Sequence, residues 1–230
     1  MPVRGNCGTT MGKSSPSDTF SEARNRLVDG FSAGPHAIRD SRVLAAMRAT
    51  PRHEFVPEDL RSQAYVDGPL PIGYGQTISQ PSLVAFMTEQ MRPQSTDRIL
   101  EIGTGSGYQA AVLSPLVAEV FSIEIVESLA ERARETLARL GCGNVHLRSG
   151  DGHGGWPEAA PFDAIIVTCA PEAVPRPLIQ QLRDGGRLIV PVGSQQETQE
   201  LFVMEKRGGA IERRAILPVR FVPMTGLAEA

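Results

Sequence analysis

No apolar run in the 230 residues approaches the length needed to cross a membrane; stretches such as Ala164 to Val167 and Ala110 to Leu113 are short. The N-terminus carries Arg4 and Lys13 but no apolar segment, so no secretory signal is expected. There are three cysteines, Cys7, Cys142 and Cys169, odd in number and without CxxC spacing. They argue against a disulfide framework and against structural zinc, and they fit a reducing, cytoplasmic setting. The four histidines, His36, His53, His146 and His153, show no ligand spacing, so no metal is expected. Lysine is nearly absent, two residues against twenty-one arginines, and most of the arginines read as solvated helix faces. No block of like charge occurs, although residues 1–61 hold nine basic and seven acidic residues and the remainder fourteen and nineteen. A nucleic-acid footprint is therefore not expected.

What is present is ordinary for a globular chain: 41% hydrophobic, 21% charged, net charge −3. Those values exclude a disordered or fibrous protein, and the length favours one core with an appendage. With 23 glycines and 18 prolines, many tight turns and a site built from loops are expected.

Residues 1–18 mix Gly, Ser, Thr, Pro and Lys without apolar periodicity and are predicted to be a disordered tail. Residues 19–96 are predicted to form an N-terminal helical segment and a covering arm. Ala23, Leu27 and Val28 sit at helical spacing from Ser21, and Val43, Leu44 and Met47 follow Asp40, a candidate N-cap; Pro51 ends that helix. The Gly- and Pro-rich stretch 65–81 reads as an ordered loop or arm. A helix over Leu83–Met91 is entered through Ser79-Gln80-Pro81. There is no internal repeat.

From Asp97 to residue 230 the pattern becomes strand, turn, helix in alternation. Strands are predicted at Arg98–Ile102, Val120–Ile123, Val145–Arg148, Ala164–Thr168 and Arg187–Val192. Helices are predicted at Tyr108–Val117, over the Val126–Leu140 period and at Leu178–Leu182, with closing strands at Leu201–Glu205 and Ile211–Val222. This is the grammar of an α/β fold with a doubly wound, mostly parallel, Rossmann-like sheet. Ligands bind such a sheet beyond the carboxyl ends of its strands.

The first of these strands runs into Glu101-x-Gly103-x-Gly105-x-Gly107. A dinucleotide fingerprint would need glycine at position 108, which is Tyr108, so a nicotinamide dehydrogenase is disfavoured. Glu124 ends the next strand, where a carboxylate can accept both hydroxyls of a ribose, and Gly150-Asp151-Gly152 follows the third. Each feature has a plainer use: close packing, a solvated strand end, an Asp-Gly turn. Together they favour a nucleoside pocket.

The segments PRHEFVP (51–57), AYVDGPLPIGYGQTISQPSLVAFMTE (64–89), LEIGTGSGYQAAVL (100–113), PFDAIIVT (161–168), GGRLIVPVG (185–193) and FVPMTG (221–226) resemble the bacterial protein-L-isoaspartate O-methyltransferases. The similarity runs from about Ser21 to Thr225, and GQTISQP is its specific part. It implies a class I methyltransferase core that takes S-adenosyl-L-methionine (AdoMet) and leaves S-adenosyl-L-homocysteine. The implied reaction is methylation of the α-carboxyl group of L-isoaspartyl residues in damaged peptides and proteins. The ester then collapses to a succinimide, which reopens partly to aspartate.

By position, the resemblance makes Ser79 the active-site serine and also a substrate contact, with Val222 and Thr225. It implies a cofactor set of Gln76, Thr77, Ile78, Glu101, Gly103, Thr104, Gly105, Ser106, Gly107, Glu124, Ile125, Asp151 and Gly152. Cys169 departs from the family's usual small residue, contacts of a longer C-terminal tail do not transfer, and the first 18 residues are extra. Ser79 also reads as an N-cap for the helix near Pro81. His153 is a candidate for the adenine pocket, His53 for a surface pair with Glu54, and Trp156 for the core. A monomer without membrane or nucleic-acid partners is expected. The alternatives are a carboxyl methyltransferase dedicated to an aspartate of one peptide partner, and an AdoMet-binding module without catalysis.

Overall fold

The structure, a computed structural model, describes residues 16–226, with side chains from Thr19 onward. The predicted tail lies outside the described residues up to position 15; from Pro16 the chain is already helical, ahead of the predicted start at Ser21.

Three helices precede the sheet: α1 (Pro16–Gly30), α2 (Ser41–Ala49) and α3 (Pro81–Met91). Asp40 caps α2 as expected, its carboxylate accepting from the Arg42 N–H. Proline at the first position of α3 costs nothing there, because that N–H has no helical partner in any case. The N-cap of α3 is Gln80, without a side-chain bond, so Ser79 is not the cap. Between α2 and α3 the Gly- and Pro-rich arm forms a short antiparallel hairpin, β1 (Leu70–Gly73) and β2 (Gln76–Ile78).

The core is a seven-stranded sheet of β3 (Arg98–Ile102), β4 (Glu119–Glu124), β5 (Val145–Ser149), β6 (Phe162–Val167), β7 (Leu182–Val192), β8 (Gln199–Arg207) and β9 (Ala210–Val219). Their spatial order is β5-β4-β3-β6-β7-β8-β9; the first five run parallel and the last two add antiparallel. Helices α4 (Tyr108–Leu113), α5 (Glu127–Arg139) and α6 (Arg176–Gln181) make the crossovers.

Both faces of the sheet are covered, so neighbouring strand residues enter different cores. Ile99, Ile166 and Ile189 join the cluster under α1–α5, while Leu100, Ile165 and Leu188 join the one around Phe162 and Leu178. Helix α5 buries Leu129, Ala130, Ala133 and Leu137, one stripe at helical spacing, and leaves its charges outside.

Most predicted boundaries move by one or more residues, and three of these shifts are notable. The α4 helix ends at Leu113 because Pro115 turns the chain into a 3-10 segment, Ser114–Leu116. The β9 strand ends at Val219, so Val222 lies beyond it. Strand β7 begins at Leu182, the residue predicted to close α6.

Candidate active site

The strand order reverses between β3 and β6, and a cavity opens beyond the carboxyl ends of β3, β4 and β6. Its floor is the turn after β3. Gly103 there has φ +93, and a Cβ on it would stand 2.7 Å from Thr168 Oγ1, so only glycine fits. Glu124, at the end of β4, is nearly buried and faces the same space. One of its oxygens accepts from the Gly105 N–H at 2.7 Å and the other from the Val126 N–H at 2.9 Å. A carboxylate has about four acceptor positions, so two remain for a ligand. Ile102, Ile123 and Ile125 supply apolar wall beside it. A half-used buried carboxylate and apolar walls suit a nucleoside such as that of AdoMet.

Glu101 lies beneath this floor, fully buried. It accepts from Ser122 Oγ, which is paired in turn with Thr104 Oγ1 at 2.5 Å, and its other oxygen has no hydrogen-bond partner. Burial pushes its pKa up to about 8 against 4.5 in the open; the Ser122 bond lowers it and the Glu124 charge raises it further. The folded value exceeds the unfolded one, so the folded protein holds a proton between about 4.5 and about 8 that the unfolded chain releases. Stability from this group is present at low pH and is lost as pH rises through that window. Glu101→Gln should therefore gain melting temperature relative to the wild type between about pH 6 and about pH 9. Thermal melts at both pH values check this, and a constant difference would overturn it.

The roof is the hairpin and the stretch after it. Arg132 of α5 donates to the Ile72 carbonyl at 2.9 Å and ties β1 down. Gln76, Thr77, Ile78 and Ser79 form one wall of the cavity. Val222, Pro223, Met224 and Thr225 also line the cavity, fixed to the loop after β6: Ala170 N–H donates to Val222 O at 2.8 Å and Met224 N–H to Ala170 O at 2.9 Å. Thr77, Ser79, Thr168 and Val222 also line a second groove, together with Phe86, Leu217 and Phe221. Ser79 thus stands where the two spaces meet.

The structure places Gln76, Thr77, Ile78, Ser79, Gly103, Thr104, Gly105, Ser106, Glu124, Ile125, Gly152, Val222 and Thr225 on the cavity wall. It does not bring Glu101, Gly107 or Asp151 there. Gly107 packs under α5 instead, where a Cβ would press on Ala133 and Leu137 at 3.3 Å. Asp151 bonds His153, through the backbone N–H at 2.9 Å and the ring at 2.8 Å, and His153 too is off the wall. His53 pairs with Glu54 as expected but also bonds the Tyr65 hydroxyl at 2.7 Å, and Trp156 packs against Phe121.

Val84, Met87, Tyr108, Gln109 and the Thr168–Cys169 pair line the cavity without having been singled out for it. For Thr168 and Cys169 the signal was available: they follow β6, the strand across the switch point from β3. Burial, with the Glu124 charge added, pushes the Cys169 thiol up to about 12, so it is a neutral wall group. Among the described residues no cluster of His, Cys, Asp and Glu could hold a metal ion, and no helix is long and apolar enough to cross a membrane.

Comparison with known proteins gives the family. Residues 24–229 match the family model described as protein-L-isoaspartate(D-aspartate) O-methyltransferase. The chain belongs to this family. The protein-L-isoaspartate O-methyltransferase of Opitutus terrae is 60% identical to this methyltransferase over 188 residues, 82% of this chain and 81% of that one. That of Halorhodospira halophila is 56% identical over 207 residues, 90% and 93% of the two chains. A solved structure of a protein-L-isoaspartate O-methyltransferase superposes with a TM-score of 0.78 at 32% identity, covering 90% of this chain and 66% of that one. A Plasmodium falciparum protein, described as a putative member and solved with S-adenosyl-L-homocysteine, shares the fold at 23% identity with a TM-score of 0.77.

Proposed function

We propose that this methyltransferase moves the methyl group of AdoMet to the α-carboxyl group of L-isoaspartyl residues in peptides and proteins, and that its own residues act as follows. The observation that carries this is Ser79, standing in the wall shared by the cavity over the glycine turn and the neighbouring groove. AdoMet, when bound, supplies an electrophilic methyl group on a sulfonium. Glu124 would take the ribose hydroxyls on its two spare acceptor positions, with the turn from Gly103 to Ser106 beside it. The acceptor carboxylate is already ionised near neutral pH, so the protein need not remove a proton from it. Its task is alignment and exclusion of water, which can contribute roughly 7–11 kcal/mol. The Ser79 hydroxyl donates to the carboxylate oxygen that does not attack, fixing its rotation. Val222 and Thr225, on the same cavity, hold the peptide, and the neighbouring groove receives the flanking residues.

Transfer of labelled methyl from AdoMet to matched isoaspartyl and aspartyl peptides tests the reading. Labelling confined to the isoaspartyl peptide is expected, and equal labelling would overturn it.

A further inference from the structure

Arg52 is fully buried, and no ion pair joins it to a carboxylate among the described residues. Its fork is spent on three backbone carbonyls: Nε donates to Ala64 at 2.9 Å, Nη2 to Gly68 at 3.0 Å and Nη1 to Ser79 at 2.7 Å. The guanidinium carbon lies 5.3 Å from the centre of the Tyr108 ring, itself part of the cavity wall. Burying a cation this way is expensive, and an apolar side chain would fill the same volume at lower cost. The arrangement therefore asks what the three carbonyls gain.

Ser79 supplies the answer. It follows β2, which ends at Ile78, and precedes α3, whose first hydrogen bonds run to Gln80. Its carbonyl thus falls between the hairpin ladder and the helix. Pro81 removes one more N–H from the neighbourhood. The Arg52 bond holds that carbonyl to the end of the preceding 3-10 segment, Glu58–Gln63, and to the Gly68 turn.

From this geometry we infer that Arg52 is a positioning residue for methyl transfer, setting the backbone of Ser79 so that its hydroxyl meets the acceptor carboxylate. The inference rests on the role of Ser79 proposed above. A planar fork with donors in three fixed directions serves three carbonyls at once; an ammonium on a flexible stem does not reproduce it.

The test is a double-mutant cycle of Arg52→Lys and Ser79→Ala on an isoaspartyl peptide, with AdoMet affinity by calorimetry and folding by melting temperature. Arg52→Lys should lower kcat at least about tenfold, since small displacements of an aligned group cost heavily. KM for AdoMet and its Kd should stay within about twofold. Adding Arg52→Lys to Ser79→Ala should lower kcat little further, because the two losses are one. Multiplying effects, or a folded Arg52→Lys variant with wild-type kcat, would overturn the inference. If Arg52→Lys does not fold, Arg52→Gln, which keeps a neutral donor, carries the same cycle. Unfolding of both in saturating AdoMet would assign Arg52 to the fold alone and overturn the inference too. Wild-type enzyme without isoaspartyl preference would reject the proposed function instead. A fully active Ser79→Ala variant would reject Ser79, and Arg52 with it.

Discussion

An isoaspartyl peptide should be methylated at least about a hundredfold faster than its aspartyl twin. The isoaspartyl linkage frees an α-carboxylate and lengthens the backbone by one methylene, so a site selective for it must fix both the carboxylate and the chain. Both fixtures act on the backbone, one through the Arg52 side chain and the other through main-chain bonds. Ser79 is tied through its own carbonyl, and the Val222–Met224 stretch is bonded on both sides to Ala170. A normal aspartate presents its carboxylate about one bond length away, and a misplacement of roughly 1 Å can cost about a hundredfold in rate. The check is kcat/KM on peptides that differ only in the linkage. Equal values would favour a carboxyl methyltransferase that reads some other feature of its peptide.

The parts of the site that stand at strand ends were legible in the amino-acid sequence. The turn after β3, Glu124 after β4 and Gly152 after β5 follow from an apolar strand meeting glycine or a carboxylate, and the fold brings strand ends together. For the third glycine of the turn, spacing does not say which side of the backbone it clears. Gly107 clears α5, not the cavity. At Asp151 the spacing says equally little: a carboxylate after a strand also bonds its own turn, and here Oδ1 is bonded to the N–H and ring of His153. The knot at Arg52 was out of reach altogether. Its acceptors lie 12, 16 and 27 residues away, all of them backbone carbonyls, which any residue type supplies. PRHEFVP could be singled out as a string, but its physical use exists only once the arm has folded over it.

Glu124→Gln should weaken AdoMet binding at least about tenfold while leaving the fold intact. The wild-type carboxylate meets donors on every side: the Gly105 and Val126 N–H groups hold one oxygen each, and the ribose hydroxyls are proposed for the remaining positions. An amide has one oxygen in place of two. Whichever way the substituted amide turned, its NH₂ group would oppose a backbone N–H, donor against donor. Rotating away to relieve that would withdraw the oxygen from the ribose. A hydrogen bond to a charged group contributes about 1.5–3 kcal/mol, so losing one is about ten- to a hundredfold in Kd. Turnover at saturating AdoMet should fall much less, because the proposed place of the carboxylate is at the ribose and not at the transferred methyl group. Calorimetric titration of AdoMet into both proteins decides it. An unchanged Kd in a folded Glu124→Gln variant would mean that Glu124 serves the turn alone, and that the nucleoside is held by other residues of the cavity.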